Sequence, residues 1–379
     1  MTHIRFALIV LVAGCTQAPL RPVEPPIERP VDEKARYTAV PFTALPAWRE
    51  ARHATSLQAF LAGCPRPALA RACGEATAVP AGDDDAARRF FETAFDAYAI
   101  RATDGGETGL VTGYYEPILA GSRTPGANYR YPVYGVPEDL ISVELAATNP
   151  DLRNSRLRGR VVGRRLVPYY TRGEIDARGT AFAAPVIAWV ADPVELFFLH
   201  VQGSGQLSLP NGERLRVGYA DSNGHPYRSI GRALAERGEL PLEQTSMQAI
   251  KAWGAANPRK LAGALAANPS YVFFREMPAS GSPVGALGVP LTAEYSVAVD
   301  RRYVPLGAPV YLATTWPLSD APLVRLMAAQ DTGAAIRGAV RADFFWGSGE
   351  QAGAQAGRMR QQGRMWLLWP RGEALPGGG

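Results

Sequence analysis

From Gly109 the period of the apolar residues changes, and they begin to alternate in short runs cut by Gly, Pro and Asn. Alternation marks half-buried strands, because successive side chains point to opposite faces. RVVGRRLVPYYT, APVIAWVADPVELFFLHVQGSGQLSL and RLRVGYADSNG, whose strands lie between residues 132 and 222, read this way. Within them VELFFLHVQGSGQLSL reads as one strand entering a tight glycine turn. Strands resume at YVFFRE from Tyr271, at Val289–Asp300, Ala308–Leu312, Val324–Ala329 and Arg364–Trp369. Helical spacing is confined to Ser56–Cys64, Asp83–Tyr98, RSIGRALAERG, Ser246–Ala256, Pro258–Ala267 and a short stretch near Glu350–Arg360. The chain is therefore expected to be mainly β, with peripheral helices.

The all-β C-terminal part carries three acids, Asp300, Asp331 and Asp343. Asp331 and Asp343 flank a Gly-rich stretch that holds Arg337 and Arg341. Leu326 and Met327 precede the first acid, and Phe344, Phe345 and Trp346 follow the second. Apolar surroundings disfavour an ionised carboxyl and raise its pKa, which suits a general acid near neutral pH. A nearby arginine pushes the other way. The plainer reading is that Asp331 opens a turn and Asp343 caps an element. A divalent metal shared by the three Asp is a further alternative, although no His, Cys, Asp or Glu grouping has metal-ligand spacing. With no P-loop, dinucleotide fingerprint or G-x-S-x-G, no cofactor and no metal is expected.

Two other stretches have sugar-binding chemistry and a bland reading beside it. Tyr114 and Tyr115 follow a glycine, and are either an aromatic platform or part of a core strand. Gln202, Ser204 and Gln206 are either hydrogen-bonding groups for hydroxyls or the outward residues of a hairpin.

At the N-terminus Arg5 precedes an apolar run from Phe6 to Ala13, too short to span a bilayer. It fits a secretion signal. Leu11-Val12-Ala13-Gly14-Cys15 resembles the lipobox of bacterial lipoproteins, with cleavage before an acylated Cys15 and residues 1–14 as signal peptide. A plain cleaved signal is the alternative. Thr16 after the Cys suggests, by that resemblance, the periplasmic face of the outer membrane in a Gram-negative bacterium. Residues 15–47 are Pro-dense and make an extended tether. Once Cys15 is lipidated, Cys64 and Cys73 are left as a disulfide, which an exported location permits, or as two thiols. The net charge of +5 suits an anionic wall or membrane, and no Lys/Arg cluster interleaved with aromatics points to nucleic acid.

TGYYEP, HVQGSGQL, GYADSNGHPYRSIG, NPSYVFF and the Asp300/Asp331/Asp343 segment occur in that order. Together, from about Thr112 to Trp369, they resemble the membrane-bound lytic murein transglycosylase A family, whose C-terminal region is named for three aspartates. The run Asp331-Thr332-Gly333-Ala334-Ala335-Ile336 departs from the family's usual two glycines after the first acid. The resemblance implies a double-psi β-barrel of the barwin or expansin type from residues 48–116 and 278–370. A β-rich domain, 117–277, is inserted into it. The groove between them takes peptidoglycan glycan strands. The implied activity is that of a lytic exotransglycosylase, cleaving the MurNAc-β-1,4-GlcNAc bond without water. Asp343 falls on the catalytic acid, supported by Asp331 and Asp300. Thr112, Tyr114, Tyr115, Gln202, Ser204, Gly333 and Ala334 fall on substrate-facing positions. A hydrolytic muramidase and a non-catalytic expansin-like wall binder are the competing functions, and wall-synthesis proteins are possible partners.

Overall fold

The computed structural model describes residues 36–64, 67–102, 104–145, 156–279, 281–333 and 335–376. Cys15, Ala334 and the leader therefore lie outside the described residues, as does most of the tether.

The chain opens with β1 (Arg36–Val40), then α1 (His53–Ala62), α2 (Ala70–Ala76) and α3 (Asp84–Ala94), followed by β2 (Phe95–Arg101) and β3 (Gly109–Glu116). Asp83 caps α3 by accepting from the Ala86 N–H at 2.8 Å. The expected helix over Asp83–Tyr98 stops at Ala94, because Phe95–Arg101 pairs on both edges, with β1 and with the last strand. Phe91 and Phe95 still pack together, with ring centroids 5.9 Å apart. Cys64, after α1, is disulfide-bonded to Cys73 in α2, with Cα atoms 5.6 Å apart.

At Pro117 the chain crosses into a second sheet. It contains β4 (Ile118–Ser122), β5 (Tyr131–Tyr134), β9 (Val186–Val190), β10 (Ser204–Ser208), β11 (Arg214–Ser222) and β12 (Val272–Met277), in the order β12-β11-β10-β4-β9-β5. A separate three-stranded sheet is built from β6 (Ile141–Glu144), β7 (Arg156–Val162) and β8 (Arg165–Pro168). Helices α4 (Arg172–Arg178), α5 (Pro193–Gln202), α6 (Ile230–Glu236), α7 (Met247–Ala256) and α8 (Pro258–Leu265) cover this half. Helix α5 corrects the single strand expected over VELFFLHVQGSGQLSL. Asp192 caps it by accepting from Val194 N–H and Glu195 N–H, Pro193 sits in its first turn, and Gly203 closes it in the left-handed conformation at φ 77°. These start and stop signals outweigh the strand preference of the Val, Phe and Leu between them.

The chain then returns to the first sheet as β13 (Ser296–Val299), β14 (Pro309–Thr315), β15 (Pro322–Asp331), β16 (Ala342–Ser348), α9 (Glu350–Ala356) and β17 (Arg360–Pro370). The strand expected from Val289 is shortened to four residues, because the chain turns at Glu294, whose φ is 64°. The order is β1-β2-β17-β14-β15-β13-β16-β3, and β17 also pairs with β3. That last pairing closes a ring through β17, β14, β15, β13, β16 and β3, so the sheet is a barrel with β1 and β2 added to one edge. Its interior holds Val297, Val299, Val310, Leu312, Met327 and Phe344. A second core, with Phe60, Phe91 and Phe95, packs α1 and α3 against Tyr311, Leu326 and Trp366 on the barrel wall.

Candidate active site

Strand register brings two of the acids together. Ala298 on β13 pairs with Asp343 on β16 to one side and with Asp331 on β15 to the other. Asp343 in turn pairs with Thr112 on β3. Paired residues project from the same face, so Asp331, Ala298, Asp343 and Thr112 form one row across four neighbouring strands. An irregularity between Val297 and Ala298 makes this possible. Regular pairing from Val297 and Ala329 would place Gln330 opposite Ala298, and a bulge moves the side chains by one position. Gln330 is instead buried, its amide donating to the Ala59 carbonyl at 2.7 Å.

Thr112 Oγ1 donates to Asp343 Oδ1 at 2.6 Å and accepts from Arg341 Nη2 at 2.9 Å. Burial raises the Asp343 pKa, against the Thr112 hydrogen bond and the Arg341 charge, which lower it. Desolvation wins. Asp331 accepts from the Ala286 and Thr332 N–H groups, each at 2.9 Å. Burial nevertheless pushes its pKa up to about 6, and the nearby Asp343 adds to the rise.

Tyr114 lies two residues beyond Thr112 on β3, pairs with Phe345 and packs on its ring at 5.1 Å between centroids. Its hydroxyl is buried near Asp331 without a hydrogen bond of good geometry. Burial first, then both carboxyls, hold this hydroxyl protonated far beyond neutral pH.

Asp300 behaves differently. Its carboxylate is buried, receives Arg302 Nη2 at 2.7 Å and accepts from the Gly338 N–H at 2.9 Å. Burial alone would raise its pKa, but Arg302 and the backbone donors of Gly338 and Arg302 together hold it below the usual carboxylate range. Gly338 has φ 113°, a conformation that favours glycine. Asp300 thus fixes the connection that leads from Asp331 to Asp343.

Of the two readings of Tyr114 and Tyr115, the core strand describes Tyr115. The two-residue period sends Tyr115 to the opposite side of β3 from Thr112 and Tyr114. Tyr115 is buried in the barrel core, and Gly353 of α9 lies so close that an added Cβ would sit 2.8 Å from its ring. Gln202 is also committed to structure, its Oε1 accepting from the Tyr115 N–H at 3.1 Å. With Tyr115, Gly113, Met247 and Gly357 it lines a crevice between β3, α9 and α7. Ser204 opens β10 opposite Gly218. Gly333 begins the turn closed by the Ile336 N–H on its carbonyl at 3.0 Å.

Sequence reading missed the donors on Ala286 and the cluster around Glu116. Glu116 is buried and accepts from Arg216 Nη2 at 3.1 Å, Gln206 Nε2 at 2.8 Å and Ser348 Oγ at 2.7 Å. Gln206 is thereby engaged, rather than offered to sugar hydroxyls. Among the described residues, no group of three or more His, Cys, Asp or Glu is placed to hold a metal ion.

A β-barrel bearing this row of acids, joined to a second β-rich unit, defines a two-part class of protein. The model of the MltA specific insert domain matches residues 110–275, and that of the 3D domain matches residues 295–369. The chain is 34% identical over 314 residues to the membrane-bound lytic murein transglycosylase A of Escherichia coli, covering 79% of this chain and 74% of that protein. A crystal structure of MltA from Neisseria gonorrhoeae superposes with a TM-score of 0.79 at 44% identity, covering 90% of this chain and 94% of the other. One of Escherichia coli MltA with bound chitohexaose gives a TM-score of 0.65 at 27% identity, covering 90% and 95%. The chain belongs to the membrane-bound lytic murein transglycosylase A family.

Proposed function

We propose that this protein is a lytic transglycosylase that cleaves the MurNAc-β-1,4-GlcNAc bond of peptidoglycan, with Asp343 as its single acid and base. The observation that carries this is the setting of Asp343: one oxygen is tied to Thr112, and burial raises its pKa. The proton then resides on the other oxygen, available for donation. It passes to the glycosidic oxygen as the C1–O bond breaks. The Asp343 carboxylate next takes the proton of the C6 hydroxyl on the same MurNAc while that oxygen bonds to C1. The product is a 1,6-anhydro ring, and water is neither consumed nor activated. An intramolecular nucleophile has a high effective molarity, so no second carboxylate is needed to drive attack. Asp331 and Tyr114 position and polarise, Asp300 holds the connecting loop, and no cofactor enters the step. The domain division at 48–116 with 278–370 and 117–277 is part of this reading, with the glycan lying between the two.

Chitohexaose bound to the Escherichia coli relative supports a β-linked amino-sugar chain as ligand. The membrane-bound relatives support a cell-envelope site, and we extend this to a lipid anchor on Cys15 at the periplasmic face of the outer membrane. One specific observation favours a muramidase instead: with a pKa of about 6, Asp331 is ionised at neutral pH and is available as a base.

Digestion of purified murein in heavy-oxygen water separates the two. Transglycosylation gives 1,6-anhydroMurNAc ends, one water lighter than muramidase products, with no label at C1. Labelled reducing ends as the main product would overturn the proposal and make Asp331 the base of a hydrolase.

A further inference from the structure

The three-stranded sheet β6-β7-β8 presents an apolar face that the proposed chemistry does not use. In its register Val161 lies opposite Leu166, Leu157 opposite Val143, and Gly159 opposite both Ile141 and Pro168. Paired residues, and residues two apart on one strand, share a face. Ile141, Val143, Leu157, Val161, Leu166 and Pro168 therefore lie on one side, with no charged residue among them. Leu157 is 50% exposed, Val161 61% and Leu166 45%. Gly159 sits beneath Leu166, whose Cδ1 would be 3.1 Å from an added Cβ, so the leucine lies across the glycine.

The opposite face holds the sheet to the body. Ser142 Oγ and Arg158 both bond Asp221, Arg158 Nη2 donates to the Tyr219 hydroxyl at 3.2 Å, and the Arg160 guanidinium lies 4.3 Å from the centre of the Tyr170 ring. At the tip, Gly163 with φ 59° begins the two-residue turn between the paired Val162 and Arg165. Arg164 and Arg165 are exposed there. Residues 156–168 contain five arginines and no acid.

We propose that this hairpin docks on an anionic phospholipid bilayer, with Val161 and Leu166 entering the headgroup region and, at the tip, Arg164 and Arg165 meeting lipid phosphates. Apolar side chains beside exposed cations are the composition that binds such an interface. A glycan fits this face poorly, because no aromatic ring is on it to stack against a sugar. A second copy of the chain fits poorly as well. Three strands of about four residues make a patch of about 13 by 10 Å, well below the ~800 Å² per partner of a stable interface. The bilayer contact is independent of glycan cleavage and of acylation at Cys15.

The test uses residues 16–379, which lack the apolar leader and Cys15 but keep every described element. Co-sedimentation with phosphatidylglycerol vesicles should exceed that with phosphatidylcholine vesicles and weaken with salt. Arg164→Gln with Arg165→Gln should lower binding by about 25-fold, at about fivefold per arginine. Val161→Ser with Leu166→Ser should lower it at least fivefold. Both double variants should keep the parent's circular dichroism and its cleavage of soluble glycan. Three results would overturn the proposal: no preference for anionic vesicles, parental binding by the serine variant, or a dimer in light scattering that the serine variant dissociates.

Discussion

Thr112 and Asp343 face each other across the parallel pair β3 and β16, and Thr112 Oγ1 donates to Asp343 Oδ1 at 2.6 Å while accepting from Arg341. The hydroxyl is a relay: it carries the influence of a cation to the carboxyl without placing the charge on it. Removing it takes away a donor that favours the ionised acid. Thr112→Val should therefore raise the Asp343 pKa further. We expect activity to fall by about tenfold, on the scale of a lost hydrogen bond to a charged group. The alkaline limb of the pH profile should move to higher pH. A profile that keeps its position would make Thr112 a packing residue only.

Asp343→Asn preserves shape and removes the acidic carboxyl proton. Cleavage of murein should drop by about 10²–10⁴-fold, the range of acid–base catalysis, with glycan binding retained. Calorimetry with chitohexaose alongside a turbidity assay checks both halves. Full activity in a folded Asp343→Asn protein would transfer the role to Asp331.

Asp331 links the site to stability. Its folded pKa of about 6 lies above the unfolded value of about 4. The folded state thus holds a proton that the unfolded chain releases, and stability falls as pH rises from about 4 to about 6. Above that window the cost is complete. Asp331→Asn should be more stable than the parent at pH 7–8, on the order of 1–2 kcal/mol after allowing for partial solvent access, or a few degrees in Tm. The gain should vanish below about pH 4. Thermal unfolding at three pH values decides it, and a variant less stable at pH 8 would contradict the burial argument.

How much of this could be read beforehand depends on how local each feature is. The Asp331–Asp343 segment announces its acids and their apolar neighbours, and both pKa values do rise. Local pattern cannot show that Ala298 stands between them, because that follows from a bulge at Val297 and Ala298, far in sequence from both Asp331 and Asp343. Helix α5 was legible in principle: Asp192-Pro193 and Gly203 are end signals, but the intervening residues, rich in Val, Phe and Leu, resemble a strand. Tyr114 and Tyr115 are neighbours in sequence, but adjacent strand residues point to opposite faces, so only one of them can share the face of Thr112. Glu116 lies within TGYYEP, but its role has no local signature, since its three partners come from β10, β11 and β16.

The Cys64–Cys73 disulfide joins α2 to the residue just beyond α1 in the layer that packs on the barrel wall. Closing so short a loop stabilises by about 2–3 kcal/mol in the chain-entropy account. Cys64→Ser with Cys73→Ser should lower the Tm by several degrees, and a reductant should shift the parent alone. The pH profile of cleavage should be unchanged, because the hydrogen bonds of Asp331 and Asp343 come from Ala286, Thr332 and Thr112 and not from either cysteine.

Glu116 offers the sharpest separation of structure from chemistry. It lies on β3 four residues beyond Thr112, at the point where the chain leaves the barrel for the second sheet, and its carboxylate ties Arg216 and Gln206 of that sheet to Ser348 of β16. The pair with Arg216 is buried, with side-chain exposures of 1% and 6%. Taking one charge from such a pair typically costs about 3–5 kcal/mol, whereas replacing both with apolar groups of similar size is often nearly neutral. Glu116→Leu and Arg216→Leu should each destabilise strongly, and the double variant should be closer to the parent than either. That non-additivity, read from urea unfolding, measures the coupling directly. If Glu116 acts only by holding the two sheets in place, the double variant will lose kcat/KM while its pH profile keeps the parent's limbs. A displaced limb would bring Glu116 into the electrostatics of Asp343, and additive single effects would show that the two sheets are joined by something other than this pair.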